Sequence, residues 1–309
     1  MTTSTDLALT PGTVIRGRWH EGRYIVKRLL GRGANGIVYL VQQEGGSRYF
    51  ALKLGFDTVD LQSEINVLKT LQKQEAGRRG GQPTSYLVEV DDIQLPEGQI
   101  PFYVMRYVKG EPLSAFIARK GADWLDLAGL NVLRQLRKLH EAGWVFGDLK
   151  PDNIMAAPYG EVELIDYGGV SQIGRSVKQF TEWYDRGYWN AGSRTADVAY
   201  DWFAFSVVCI HLLAGDELKK AARGLPQTRT AEDLLAIVAG KPSLKPYAGW
   251  LKRAISGSFA TSEEACTYWE KNICRRLPRK KGFATPGWLK SAFIMSLALL
   301  ICALYWSLR

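Results

Sequence analysis

The sequence predicts an α+β chain of two unequal lobes, β-rich first and helical second, with a cleft between them, then a basic linker and one apolar helix. Three observations carry this. Strand-like apolar segments recur before residue 108. Helical apolar stripes recur from 109 to 274, and residues 291–308 hold no charge. With 46% hydrophobic residues, some 250 positions can bury two lobe cores.

The elements follow in order. Residues 1–22 form an N-terminal extension, with an extra strand within Val14 to Trp19. Residues 23–108 form the small lobe. In it, Arg23 to Leu30 and Arg48 to Leu54 read as strands, Leu61 to Leu71 as a helix, and Phe102 to Val108 as the last strand and hinge. The stretch Lys73 to Thr84, rich in Gly, Arg and Gln, reads as a mobile loop. Residues 109–274 form the helical lobe, with helices over Trp124 to Glu141, Thr195 to Leu213, Ala231 to Ala239 and Tyr247 to Ser256. Residues 275–290 are a basic linker, and 291–308 a membrane span.

Chemistry concentrates at four places. Gly31-Arg-Gly-Ala-Asn-Gly36-Ile-Val38 is G-x-G-x-x-G-x-V, in which glycines let a hairpin backbone lie close over phosphates. An ordinary tight turn uses the same residues. Lys53 lies between apolar neighbours Ala51, Leu52 and Leu54, so it needs an anionic partner. Glu64, beside the apolar stripe of the helix, is the candidate acid. The gap of 11 residues is short, so either the connection before the helix is trimmed or Asp57 or Asp60 is the partner. Finally, Phe146-Gly-Asp-Leu-Lys-Pro-Asp-Asn153 and Ile165-Asp-Tyr-Gly168 supply two carboxylates, an amine and an amide. Such a set suits phosphoryl transfer from ATP: a base to orient the acceptor, a cation for the γ-phosphate and oxygen ligands for Mg2+.

In order and spacing, these motifs resemble the Hanks-type serine/threonine protein kinases, over about residues 23–274. The resemblance implies that Gly31, Gly33, Gly36 and Val38 cover the nucleotide and that Lys53 and Glu64 form an ion pair. Met105 would lie behind the adenine and the backbone to Val108 would bond it, with Glu111 on the ribose. It further implies that Asp148 orients the substrate hydroxyl, Lys150 touches the γ-phosphate, and Asn153 and Asp166 hold magnesium. By the same resemblance, Asp201 is expected to steady the catalytic loop. Protein Ser/Thr hydroxyls, the chain's own included, are the expected acceptors.

Several positions depart from the family. Gly147 stands where an arginine usually grips a phosphorylated activation loop, so that switch is not expected here. Asn190-Ala-Gly192 replaces Ala-Pro-Glu, and the same alignment puts Asp185 where a threonine lies near the acceptor. Ser171, Ser176, Thr181, Tyr184 and Tyr188 are the hydroxyls available for autophosphorylation.

The uncharged segment 291–308 measures about 27 Å as a helix at ~1.5 Å per residue, close to a bilayer's hydrocarbon core of roughly 30 Å. Trp288, Tyr305 and Trp306 suit its two interfaces. Read with Arg309 after it and no leader before it, it is expected to be a single-pass tail anchor in the cell membrane. Seven basic residues and no acid lie between Lys271 and Lys290: Lys271, Arg275, Arg276, Arg279, Lys280, Lys281 and Lys290. They supply most of the net +9 and place the lobes in the cytoplasm. The basic run serves as a topology signal, a site for anionic lipids or a site for nucleic acid. A tethered kinase with such a run resembles the YabT-like kinases of spore-forming bacteria, which implies stimulation by DNA that gathers several copies of the chain.

Four cysteines without a Cys-x-x-Cys pair and three histidines outside ligand spacing speak against a disulfide scaffold or a zinc module. Two other classes stay open. A pseudokinase scaffold fits the lost arginine and lost Ala-Pro-Glu but has no use for the retained Lys53, Asp148, Asn153 and Asp166. A small-molecule kinase fits poorly with Asp-Leu-Lys-Pro.

Overall fold

The computed structural model describes residues 9–33, 36–79, 86–95, 98–274 and 287–307. The small lobe comprises β1 (Val14–Arg16), β2 (Arg23–Gly33), β3 (Gly36–Gln43), β4 (Tyr49–Gly55), α1 (Thr58–Arg79), β5 (Leu87–Leu95) and β6 (Gly98–Arg106). Its sheet runs β1-β2-β3-β4-β6-β5, every pair antiparallel. Alternation explains the strands: Tyr24 and Val26 on β2, and Ile37, Tyr39 and Val41 on β3, are buried while the residues between them are less covered. β4 is buried on both faces from Ala51 to Leu54, one from the sheet core and one from α1.

α1 begins on an Asp57 cap, whose Oδ1 accepts from the amides of Val59 and Asp60 at 2.8 and 2.9 Å. It buries Leu61, Ile65, Leu68 and Leu71. Only Phe56 and Asp57 separate β4 from α1, so the short gap before Glu64 is a trimmed connection. α1 continues to Arg79, so the loop expected from Lys73 is helical over 73–79; the rest of it lies outside the described residues.

The large lobe follows: β7 (Glu111–Pro112), α2 (Leu113–Lys120), α3 (Trp124–Glu141), β8 (Trp144–Val145), β9 (Ile154–Ala156), β10 (Val162–Leu164), β11 (Ser171–Gln172), α4 (Val198–Ala221), α5 (Ala231–Gly240), α6 (Ala248–Ile255) and α7 (Ser262–Asn272). α3 covers the predicted residues, with Leu125, Ala128, Val132, Leu136 and Leu139 on one buried stripe. α4 starts on Asp197, which accepts from the Tyr200 amide at 2.9 Å, and is buried on all sides from Tyr200 to Ile210. Trp202 and Phe205 of α4 pack with Trp250, Phe259 and Trp269 in a ring cluster with 5.2–5.7 Å between ring centres. Gly129 of α3 is required here, since a Cβ would stand 2.4 Å from the Trp269 ring.

By length and composition, α4 is the one helix among the described residues apolar enough to cross a membrane, and two thirds of it is buried in this core. α8 (Gly287–Ser307) carries no charge after Lys290, and its described side chains are exposed, Trp306 by 86% and Phe293 by 71%. Arg275, Arg276, Arg279, Lys280 and Lys281, named above for polyanion binding, lie outside the described residues.

Candidate active site

β2, β3, β4 and β6 form the roof of a cleft of about 990 Å³ whose floor is the loop 146–153, the β9–β10 hairpin and the segment 166–181. Gly31, Gly33, Gly36, Val38, Lys53, Met105, Val108, Asp148, Lys150, Asn153 and Asp166 all line it. Asp148 and Asp166, far apart in sequence, thus face one cavity. Glu111 does not line it; its carboxylate turns to Arg119 of α2, which corrects the ribose assignment. A Cβ at Gly31 or Gly33 would meet nothing within 4 Å, so the roof leaves room over the cleft. Gly36 is fixed by the sheet instead, because a Cβ there would stand 2.1 Å from the Leu54 carbonyl oxygen.

Lys53 reaches Glu64 Oε1 and Oε2 at 2.7 and 2.9 Å and Asp166 Oδ1 at 3.1 Å. Asp57 is occupied as the α1 cap. Burial lowers the Lys53 ammonium, but Asp166 and Glu64 outweigh it and raise it above the usual lysine range. Burial pushes the Glu64 carboxyl up, opposed by Lys53 and by the Tyr103 hydroxyl, which donates to Oε2 at 2.8 Å. Asp166 sits at φ +59°, a left-handed turn that Asp tolerates and that brings its carboxylate to the cleft.

The second cluster centres on Asp148. Lys150 donates to its Oδ2 at 2.6 Å and Thr181 to its Oδ1 at 2.8 Å, while Lys150 also reaches the Thr181 hydroxyl at 3.2 Å. Asn153 Nδ2 donates to the Asp148 carbonyl at 2.8 Å, leaving the amide oxygen to accept. Asp201 accepts from the amides of Phe146 and Gly147 at 2.7 and 2.9 Å and faces His140, so the loop is pinned from α4.

In this segment it is Thr181, not Asp185, that contacts Asp148 and Lys150. Asp185 is buried between Arg194, the Tyr200 hydroxyl and the Gly187 amide, a structural knot. The sequence offered no anchor for that register, because the Ala-Pro-Glu motif from which it is counted is missing. Tyr103 was also missed; in a β-strand its ring reads as core. Of the five hydroxyls named for autophosphorylation, Ser171 is buried and bonded to Gly169, Thr181 is engaged with Asp148, Tyr184 is buried, and Tyr188 bonds the Ala222 carbonyl. Ser176 is exposed.

Gly147 shows why no arginine stands before Asp148. Its φ is +82°, and a Cβ would lie 2.6 Å from the Gly169 carbonyl and 3.3 Å from Val177. Val177 instead packs with Val145, Ala196 and Tyr200, so an apolar contact holds this end of the segment. Backbone bonds from Val177 to Arg194 and from Ala196 to Arg175 extend the clasp.

An ion-paired lysine, a carboxylate–lysine–threonine cluster and a roofed cleft between two lobes define a protein kinase. The chain belongs to the protein kinase domain family, which it matches over residues 24–255. Among curated proteins it is 38% identical over 265 residues to the serine/threonine-protein kinase YabT of Bacillus subtilis, covering 85% of this chain and 75% of that one. It is a serine/threonine protein kinase. It is also 34% identical over 143 residues to the much longer serine/threonine-protein kinase PknK of Mycobacterium tuberculosis, covering 45% of this chain and 12% of that protein. Solved structures agree in fold: vaccinia related kinase 3 (TM-score 0.60, 18% identity, 89% of this chain, 94% of that one) and the Mycobacterium tuberculosis PknI kinase domain (0.52, 23%, 86% and 100%).

Proposed function

We propose that the cleft takes ATP with magnesium and that Asp148 orients a Ser or Thr hydroxyl of a protein for attack on the γ-phosphorus. The observation that carries this is the meeting of the Lys53–Glu64–Asp166 and Asp148–Lys150–Thr181 clusters on one cavity. The residues present fit the nucleotide. Leu30, Val38, Ala51, Met105, Met155 and Leu164 give apolar walls for a base, and polar groups gather at the other end. The fit to magnesium is of the kind in which protein supplies few ligands and phosphates and water the rest. No cluster of three or more His, Cys, Asp or Glu suited to a metal occurs among the described residues, and among the oxygens that line the cleft the Asn153 amide and the Asp166 carboxylate are hard donors that would hold magnesium.

When bound, magnesium ATP supplies the phosphoryl group and neutralises its own charge in part. The chain's residues do the rest. Lys53, held by Glu64, presents positive charge to the α- and β-phosphates. Asp148 accepts a hydrogen bond from the substrate hydroxyl, aligning it and taking its proton as the new O–P bond forms and the bond from the γ-phosphorus to the bridging oxygen breaks, with ADP as the leaving group. Lys150 lies beside Asp148 and places its ammonium where charge builds on the transferred group. Thr181 holds the other oxygen of Asp148 and so keeps the carboxylate turned towards the acceptor.

The reading extends beyond the cleft. Residues 291–308 hold the kinase at the membrane, with the lobes on the cytoplasmic side; the exposed apolar surface of α8 supports this. The basic stretch 271–290 engages DNA or anionic lipid headgroups, and a polyanion that gathers several copies raises the rate at which one phosphorylates another.

The test is the full chain in detergent micelles with labelled ATP and Mg2+, beside Asp148→Asn and Lys53→Ala, with and without DNA across a salt series. Label on Ser or Thr of the wild type alone supports the reading, and a DNA gain that fades with salt supports the polyanion role. ATP binding without transfer would leave a scaffold, and a salt-independent response would remove the polyanion.

A further inference from the structure

We infer that Tyr103 is a positioning residue for phosphoryl transfer, its hydroxyl holding Glu64 in place while Lys53 exchanges a carboxylate for phosphate oxygens. This rests on the roles proposed above for Lys53 and Glu64. Lys53 has three ammonium protons and three carboxylate oxygens within 3.1 Å: Oε1 and Oε2 of Glu64 and Oδ1 of Asp166. Every proton therefore has a carboxylate partner, and a phosphate oxygen can engage Lys53 only by displacing one.

The Tyr103 hydroxyl decides how Glu64 behaves when that happens. It donates to Oε2 at 2.8 Å, the same oxygen that Lys53 reaches at the longer distance of 2.9 Å. Oε2 is thus shared, and the carboxylate keeps a partner on that oxygen as the ammonium turns. On the other side Glu64 is closed in by Gly168, where even a Cβ would stand 2.7 Å from Oε1. Tyr103 itself is 1% exposed on β6, directly across the ladder from Lys53, so β-pairing sets the distance between the hydroxyl and the ion pair. Without that hydroxyl, Glu64 depends on Lys53 alone, holds it back from the nucleotide and is free to rotate as it lets go.

The experiment is a double-mutant cycle on the full chain, Tyr103→Phe and Glu64→Gln alone and combined, with kcat, KM for ATP and affinity for ADP measured for each. Loss of a hydrogen bond to a charged group predicts a fall of about tenfold in kcat for Tyr103→Phe. KM for ATP should stay within about twofold, because Tyr103 contacts the pair and not the nucleotide. In the Glu64→Gln background, Tyr103→Phe should add little, since its effect passes through Glu64. A full and equal loss in both backgrounds, or an unchanged kcat beside an impaired Glu64→Gln, overturns the proposal. An unimpaired Glu64→Gln overturns the ion-pair reading itself and this inference with it.

A second readout needs no turnover. In nucleotide-free protein carrying 13C-glutamate, Tyr103→Phe should move the Glu64 titration to higher pH, as that hydrogen bond favours the carboxylate. The groups facing Glu64 are Lys53 from β4, Tyr103 from β6 and Asp166 after β10, with Lys178 bonded to the adjacent Ser63. An unmoved midpoint counts against the inference. Should Tyr103→Phe not fold, 3-fluorotyrosine at 103 keeps the ring and strengthens donation. It should lower that midpoint with kcat retained, and a rise would refute the idea.

Discussion

Thr181 places its hydroxyl 2.8 Å from Oδ1 of Asp148, across 33 residues of chain, and thereby ties the segment 166–181 to the loop 146–153. Thr181→Ala should reduce kcat by roughly ten- to a hundredfold, the worth of a hydrogen bond to a charged group. Thr181→Ser should recover most of it. Peptide phosphorylation rates with both variants check this, and an active Thr181→Ala protein would show the contact to be incidental.

Lys53→Ala should abolish turnover while ADP affinity falls less than about tenfold, near 1.4 kcal/mol, because the apolar walls and the Asn153 and Asp166 oxygens remain. Isothermal titration with Mg-ADP beside an activity assay measures both. Parallel collapse of binding would mean that Lys53 holds the nucleotide rather than the transition state.

Gly147→Ala should destabilise the protein by about 2 kcal/mol or more, from a left-handed backbone costing about 1–2 kcal/mol and a clash with the Gly169 carbonyl. Gly147→Arg should do no better, so the arginine common in the family cannot simply be restored. Thermal unfolding of both variants, each with a midpoint several degrees below wild type, is the outcome expected.

Asp91→Ala should release the N-terminal extension. Asp91 is buried and accepts from the amides of Trp19, His20 and Asp92 at 2.7–2.9 Å. Burial raises its carboxyl, but these bonds outweigh that and hold it below the usual range. Its share of stability is therefore present above the ordinary Asp value near pH 3.9 and is lost as pH falls through the lower folded value. Limited proteolysis at neutral pH should cut Asp91→Ala within residues 9–22 well before wild type.

His211 gives a loss of stability in the same direction, with falling pH, a test nearer neutrality. Burial lowers its imidazole below the ordinary value, with Asp152 opposing, while its Nδ1 pairs with the Tyr184 hydroxyl at 2.6 Å. Between that lowered value and about pH 6.5 the unfolded chain binds more protons than the native one, so stability falls as pH drops below about 6.5. Melting points at pH 7.5 and 5.5 should differ less in His211→Gln than in wild type.

Much of this arrangement was legible in the residues. The buried stripe of Trp124 to Glu141 gave α3 its bounds, and the apolar flanks of Lys53 demanded an acid that α1 supplies in Glu64. The loop expected over 73–84 fails at its start because Gln, Lys, Glu, Ala and Arg are strong helix formers. They prolong α1 after its apolar stripe has ended at Leu71. α2 and α7 were not foreseen. α2 is a short helix without a side-chain cap, and in α7 only Ala265, Cys266 and Trp269 are buried. Thr181 was hidden for a different reason: proximity to Asp148 arises from the fold of the segment 166–181, which pattern alone does not encode.

The two residues between β4 and α1 have a further effect. At ~3.5 Å each, Phe56 and Asp57 give α1 a leash of about 7 Å, and Gly55 lies so close that a Cβ would strike Leu61 at 2.7 Å. Kinase inhibition by swinging this helix outward would need its first turn to unwind. That short leash is what keeps Glu64 of α1 within reach of Lys53 on β4.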